Sequence, residues 1–157
     1  MGWRNIFGSD TKNDKPELPW ISLQSIDQLD GLSLNSKSRT QLIFKHSTTC
    51  GISRMVLNRF TSVFPQDFSG DLYFLDLHRY RAVSDAVANT FRVIHQSPQL
   101  LIIKDGAVVA HASHGEISTI DLMQFSWVGP IFVNMDRQKG GQYTQHWPPF
   151  SPLCQST

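Results

Sequence analysis

Short hydrophobic stretches separated by polar turns run along this chain, and their spacing predicts alternating strands and helices. Continuous apolar runs indicate buried strands, whereas apolar residues three and four positions apart indicate helices. The predicted strands cover residues 20–23, 41–46, 71–77, 99–104 and 107–111. The predicted helices cover residues 26–32, 50–63, 80–91 and 117–127, and a capping-box pair, Ser25 and Gln28, marks the first.

The order of these elements predicts an α/β fold with a mixed central β-sheet flanked by helices. The early strand–helix–strand units imply parallel neighbours, because a crossover helix brings the chain back to the same end of the sheet. Asp105-Gly106 stands between two apolar runs and is a strong signal for a tight hairpin. The last two strands are therefore expected to be antiparallel.

Both ends of the chain differ in composition from its middle. Residues 1–19, polar from Gly8 onward, are expected to form an N-terminal arm. Residues 20–127 contain all the predicted elements and are expected to form one domain. Residues 128–157 are rich in proline and glycine and are expected to form a C-terminal extension, either docked or loose.

Charge and length exclude several classes of function. The 157 residues carry a net charge of +1 without a basic stripe, which gives nucleic-acid binding little electrostatic support. There is no apolar run long enough to span a membrane and no secretory signal, so neither membrane insertion nor export is expected. Two cysteines do not make a disulfide framework, and a reducing, cytoplasmic compartment is the simpler expectation.

Cys50 stands at the junction between a predicted strand and a predicted helix. A hydroxyl-rich turn, Ser47-Thr48-Thr49, comes directly before it. Unpaired amides, such as that of Gly51, and the positive end of the helix dipole favour the thiolate of a cysteine placed there, and the thiolate is the nucleophilic form. We therefore expect Cys50 to be redox-active, with an inert buried thiol as the alternative.

Ser53 lies three residues after the cysteine and completes a Cys-x-x-Ser sequence. Dithiol oxidoreductases have a second cysteine at that place, and it resolves the mixed disulfide. Because serine cannot form a disulfide, Cys50 alone would hold the covalent intermediate until another thiol arrives. The spacing therefore predicts monothiol exchange.

Ser97-Pro98 lies just before a predicted strand, after the helix over residues 80–91. In the predicted topology this loop comes beside the Cys50 turn, where its backbone can pair with an extended peptide. The dipeptide alone favours an ordinary trans bond, because cis bonds are a minority even before proline.

Several spaced motifs together resemble the monothiol bacilliredoxins of the YtxJ type, within the thioredoxin superfamily. The motifs are Phe44 to Cys50 with Ile52-Ser53, Tyr80-Arg81 with Ser84, His95 to Gln99, and Ser113-His114 with Ile117. The resemblance covers roughly residues 20–120. One position departs from the family, which usually has proline after the cysteine where this chain has Gly51. Glycine is conformationally freer at a helix start, so a looser start is expected.

This resemblance implies a thioredoxin-like fold and removal of bacillithiol from mixed disulfides on cytoplasmic client proteins. Cys50 would be the nucleophile, and bacillithiol the thiol co-substrate, with no bound cofactor or metal. A low-molecular-weight thiol or a reductase would regenerate the protein. Thr48, Thr49, Gly51 and Ser53 would surround the incoming adduct. Ser97-Pro98, its bond now expected to be cis, would guide the client backbone.

Two alternatives to this function stay open. In the first, the chain is a non-enzymatic thioredoxin-like module that binds partner proteins, and Cys50 is incidental. In the second, it is a dithiol enzyme in which Cys154 resolves Cys50.

Other polar residues have simpler interpretations. Lys45 and His46 are expected to lie on the surface, with at most one of them facing Cys50. Asp76 is expected to cap the next turn, and Ser84 to cap the third helix. His111 and His114 have no partners at a recognisable zinc spacing and are expected to be structural or surface residues. Apart from whichever of Lys45 and His46 faces Cys50, none of these residues is assigned a chemical role.

Overall fold

A five-stranded mixed sheet forms the centre of the protein in the computed structural model, which describes residues 17–127. The strands are β1 (Trp20–Ser22), β2 (Thr40–His46), β3 (Gly70–Asp76), β4 (Gln99–Lys104) and β5 (Ala107–Ser113). The α-helices are α1 (Gln28–Asn35), α2 (Gly51–Val63) and α3 (Arg81–Phe91). Two short 3₁₀ helices follow, over His114–Thr119 and Leu122–Phe125.

The strand order is β1-β3-β2-β4-β5. β3 pairs in parallel with β1 and β2, whereas β4 pairs antiparallel with β2 and β5. The predicted mixed sheet is therefore confirmed. The hairpin between β4 and β5 turns at Asp105 and Gly106, which both have positive φ angles, as the Asp-Gly signal predicts.

Helices cover both faces of the sheet, and each face has its own hydrophobic core. On one face, Val56 and Phe60 of α2 pack against Leu42 and Phe44 of β2. On the other face, α1 and α3 pack against the remaining side chains of the same strand, including Ile43. β2 lies at the centre of both cores, and all of its residues are buried. Its alternating side chains therefore reach two separate interiors.

Two of the predicted helices are wrong in detail. The first helix covers Gln28–Asn35 rather than residues 26–32, although the Gln28 side chain does accept the Ser25 amide as in a capping box. The last predicted helix, residues 117–127, is replaced by the two 3₁₀ helices, because Ile120 is extended between them. Asp121 then accepts the amide of Met123 and starts a new turn.

The remaining fold-level findings concern the ends of the chain and membrane insertion. Leu18, within the predicted arm, is already buried in the α2-side core. The rest of the arm up to residue 16, and the predicted extension from residue 128, lie outside the described residues. Among residues 17–127, no helix is long and apolar enough to cross a bilayer.

Candidate functional site

Three segments meet where β2 ends, at one edge of the sheet. Lys45 of β2 pairs with Gln99 of β4, so the next residue out, Pro98, lies beside the end of β2. Gln99 in turn pairs with Ser113, and the His114 amide donates to the Pro98 carbonyl over 3.1 Å. The turn before Cys50, the Pro98 loop and the start of the first 3₁₀ helix therefore adjoin one another.

Cys50 occupies the N-cap position of α2 and is partly exposed. Its backbone is extended, with φ −98° and ψ 121°, and its amide donates to the Ser47 carbonyl over 3.2 Å. Its own carbonyl accepts the first helical hydrogen bond, from the Arg54 amide at 3.1 Å. Cys50 thus lies, partly exposed, at the N-terminus of a helix, as the sequence predicts.

The turn before Cys50 is held by a histidine that the sequence analysis missed. Nε2 of His78 lies 2.8 Å from Ser47 Oγ and 2.9 Å from Thr49 Oγ1. His78 is itself positioned by Asp76, whose Oδ1 accepts the amides of His78 and Arg79, so the capping role predicted for Asp76 is confirmed. The one sequence signal for His78 was its place after the end of a buried strand.

A second hydrogen-bonded pair lies beneath the turn. Ser53 is fully buried, and its Oγ accepts the Ser47 amide at 3.1 Å and lies 2.9 Å from His46 Nδ1. His46 is 5% exposed and packs near the ring of Phe74. Burial lowers the pKa of His46 below its usual value, Asp76 opposes this shift, and Arg54 adds to it. Burial therefore favours the neutral form of the His46 ring, whose Nδ1 shares a hydrogen bond with the Ser53 hydroxyl.

Ser53 stays a predicted binding residue. Because it is buried, it can support the Cys50 turn from inside the protein but cannot contact a ligand at the surface. The expectation that His46 lies on the surface is wrong. The physical reason is that α2 covers this face of β2, so a side chain at the strand end is enclosed although it is polar.

Lys45 is also buried, so the expectation of a surface lysine is wrong. The reason is that α1 and α3 cover the other face of the sheet, which this side chain enters. Its Nζ lies 2.9 Å from His95 Nδ1 and 3.4 Å from the Ser84 carbonyl oxygen. Burial lowers the Lys45 pKa to about 8, against the attraction of Asp85 and with the help of Arg81. Ser84 does not cap α3, because it lies one turn inside the helix and is fully buried.

The Ser97-Pro98 peptide bond is cis, as the resemblance implied. Pro98 is buried, and Ser97 Oγ is buried without a hydrogen-bond partner in the described part of the chain. Thr48 and Gly51 are both exposed beside Cys50, and a Cβ added at Gly51 would meet no atom within 4 Å.

The surroundings of the site are open and partly apolar. Ile52 and Met55 of α2 are 57% and 64% exposed. An open groove of about 460 Å³ lies next to the Pro98 loop, lined by Ser113, His114, Gly115, Glu116 and Thr119. Within residues 17–127, no group of three or more histidine, cysteine or acidic side chains is placed to hold a metal ion, and His111 and His114 are both exposed.

Comparisons with known proteins agree with this geometry. The family model described as monothiol bacilliredoxin BrxC matches residues 21–122. A solved structure described as a candidate oxidoreductase with a thioredoxin fold is 32% identical, with a TM-score of 0.57 over 67% of this chain and 91% of that chain.

Two thioredoxins show the same fold at lower identity. Schistosoma mansoni thioredoxin is 18% identical, with a TM-score of 0.54 over 68% of this chain and 94% of its own. Fasciola hepatica thioredoxin is 17% identical, with a TM-score of 0.53 over 67% of this chain and 98% of its own. The chain has a thioredoxin-like fold of the kind found in thiol oxidoreductases, and it belongs to the monothiol bacilliredoxin family.

Proposed function

We propose that the protein is a monothiol thiol–disulfide oxidoreductase that removes bacillithiol from mixed disulfides on client proteins in a reducing, cytoplasmic compartment. The observation that carries the proposal is the placement of Cys50. Cys50 is partly exposed at the start of α2, while the position of a resolving cysteine is taken by the buried Ser53. Such a site can accept a thiol adduct but cannot expel it internally.

The reaction has two exchange steps. The Cys50 thiolate attacks the bacillithiol sulfur, a new disulfide forms between them, and the client leaves as a thiolate that takes a proton from water. A second thiolate, from bacillithiol or from a reductase, then attacks the bacillithiol sulfur on Cys50. Cys50 is released as thiolate, and the two thiols leave joined as a disulfide. No bound cofactor takes part in either step.

The residues around Cys50 support this chemistry. The amide of Gly51 lies at the first position of α2, where a helix has no internal acceptor for it, and it favours negative charge on the neighbouring sulfur. Thr48 and Thr49 are exposed, and their hydroxyls would lie beside the incoming adduct. The backbone at Ser97 and Pro98 would pair with an extended client segment.

Intact-mass spectrometry of three proteins tests the proposal. A client protein whose single cysteine carries bacillithiol is mixed with wild type, Cys50→Ser and Cys154→Ser. We expect the adduct to move to wild type and to Cys154→Ser, and not to Cys50→Ser. A disulfide between Cys50 and Cys154 in wild type, with the adduct retained only by Cys154→Ser, would favour the dithiol enzyme instead. No transfer to any of the three, with Cys50 alkylated only after unfolding, would leave the partner-binding module.

A further inference from the structure

A buried cation lies on the face of the sheet opposite Cys50. Lys45 has no exposed surface, although lysine is among the residues least often buried. Its stem occupies the core between the sheet and α3, and its ammonium group ends at the segment between α3 and β4. Removing an ammonium group from water is unfavourable unless it gains good hydrogen bonds, so the partners of Lys45 identify what it holds.

The partners of Lys45 belong to the chain segment that leads to Pro98. Nζ lies 2.9 Å from Nδ1 of His95, two residues before Ser97, and it also donates to the Ser84 carbonyl oxygen. Gln99, beyond the proline, reaches back to the start of the same segment, where its Nε2 donates to the Ile94 carbonyl over 2.9 Å. The buried side chains of Lys45 and Gln99 therefore hold the start of residues 94–98, and the pairing of β4 with β2 holds their end.

The hydrogen bond between Lys45 and His95 fixes the protonation of the histidine. An ammonium group has only donors, so Nδ1 of His95 must accept, and the ring is neutral with its proton on Nε2. His95 is exposed as a residue, but partial burial of its ring and the nearby Lys45 both lower its pKa, Arg81 adds to this, and Asp85 opposes it. Arg81 and Asp85 of α3 are the other charged groups that act on this pair.

We propose that Lys45 and His95 are positioning residues for the Ser97-Pro98 loop, whose hydrogen bond holds that loop in register with the strand leading to Cys50. The inference rests on the proposed function, in which this loop docks the client backbone. It follows that protonation of His95 releases the loop, because a charged ring cannot accept from an ammonium group and is repelled by it. No side-chain hydrogen bond of Lys45 or His95 reaches Cys50, so we expect the pair to affect client binding.

Two variants of one residue separate positioning from general stability. His95→Leu removes the acceptor, whereas His95→Gln offers Oε1 to Lys45 but cannot titrate. His111→Leu changes an exposed histidine of β5 and is the matched control. Three quantities are measured: hydrogen exchange of the amides in residues 94–99, the half-saturating concentration of a bacillithiolated peptide client, and the rate with the small disulfide dithiobis-nitrobenzoate.

For His95→Leu we expect faster loop exchange and a half-saturating client concentration raised about tenfold, with the rate toward the small disulfide changed less than about twofold. His95→Gln should restore most of the client affinity. In wild type the half-saturating concentration should also rise as the pH falls below the ordinary histidine range, and in His95→Gln it should not. His111→Leu should match wild type throughout.

Unchanged loop exchange in His95→Leu would overturn the inference, whatever the activity. Equal losses toward client and small disulfide would also overturn it, because they would indicate damage to the nucleophile or the whole fold. If wild type failed to transfer any adduct, the proposed function would fall. The exchange data and the reaction with the small disulfide would still decide whether the pair holds the loop.

Discussion

Lys45 and His46 are neighbours on the same strand, yet their side chains enter opposite interiors. His46 points to the α2 side, where it pairs with Ser53 beneath the turn that carries Cys50. Lys45 points to the α3 side, where it pairs with His95 in the segment that carries Pro98. One central strand therefore supplies a separate polar anchor to each of the two loops that form the site.

The two anchors differ in charge, and this gives them different responses to pH. The pair of His46 and Ser53 is neutral, and the buried imidazole resists protonation. The other pair contains a buried cation whose pKa is lowered to about 8. Acid is therefore expected to disturb both pairs through their histidines, whereas only the Lys45 pair changes charge in mild alkali.

The neutral anchor is most simply removed by Ser53→Ala. This change leaves the Ser47 amide and His46 Nδ1 buried without a partner, so we expect the free energy of unfolding to fall by roughly 2–4 kcal/mol. Urea unfolding measures it. Ser62→Ala, on the exposed face of the same helix, is the control and should stay within about 0.5 kcal/mol of wild type. A Ser53→Ala loss no larger than that of the control would show that the pair does not hold the turn.

Removal of the charged anchor is expected to raise the free energy of unfolding, whereas removal of the neutral anchor lowers it. Lys45→Met keeps the length of the side chain and removes the buried charge, and it should raise the free energy of unfolding at pH 7 by roughly 1–3 kcal/mol. The wild-type penalty is complete below the folded pKa of about 8 and disappears as the pH rises to the ordinary value of 10.5. The advantage of Lys45→Met should therefore shrink across that interval. A constant advantage from pH 7 to pH 10.5 would contradict the lowered pKa.

The acid response of the neutral anchor is isolated by His46→Gln, which keeps a hydrogen-bonding group for Ser53 but cannot titrate. Because the folded pKa of His46 lies below its ordinary value of 6.5, its contribution to stability is complete above pH 6.5 and declines as the pH falls toward the folded pKa. Wild type should lose more stability than His46→Gln between pH 7 and pH 5, by at most about 1.4 kcal/mol per pH unit. Parallel curves for the two proteins would show that His46 is not the titrating group.

The smallest expected effect is at the start of α2. Gly51 is the first helical residue, an added side chain meets nothing, and Cys50 already has the extended backbone that a following proline requires. Gly51→Pro should therefore raise the free energy of unfolding by about 0.4–1 kcal/mol. Thermal unfolding measures it, with Gly51→Ala as the intermediate case. Destabilisation by proline would show that the glycine backbone is needed as it is.

The sequence predicted the framework of the site well, because its signals are local. Apolar runs marked the strands, Asp105-Gly106 marked the hairpin, and the polar turn after a buried strand placed Cys50 at a helix start. Strand alternation also put Lys45 and His46 on opposite faces. It did not show that both faces are covered, because burial depends on helices that are distant in sequence.

The polar contacts that hold the site were missed for a related reason, because their partners are distant in sequence. His95 lies fifty residues after Lys45 and His78 thirty-one after Ser47, so no spacing rule connects these pairs. The last predicted helix failed for a different reason. Its apolar spacing is helical, but Asp121 starts a separate turn after the extended Ile120 and divides the segment.

Peptide mapping of a quenched reaction tests the central claim, nucleophilic exchange at Cys50, most directly. Wild type is mixed with a bacillithiolated client, samples are quenched with acid over time, and the adduct is located by fragmentation while the freed client thiol is counted. We expect the adduct to appear on Cys50 at the rate at which client thiol is freed, and added thiol then to remove it. Client thiol released without an adduct on Cys50, or an adduct found first on Cys154, would contradict it.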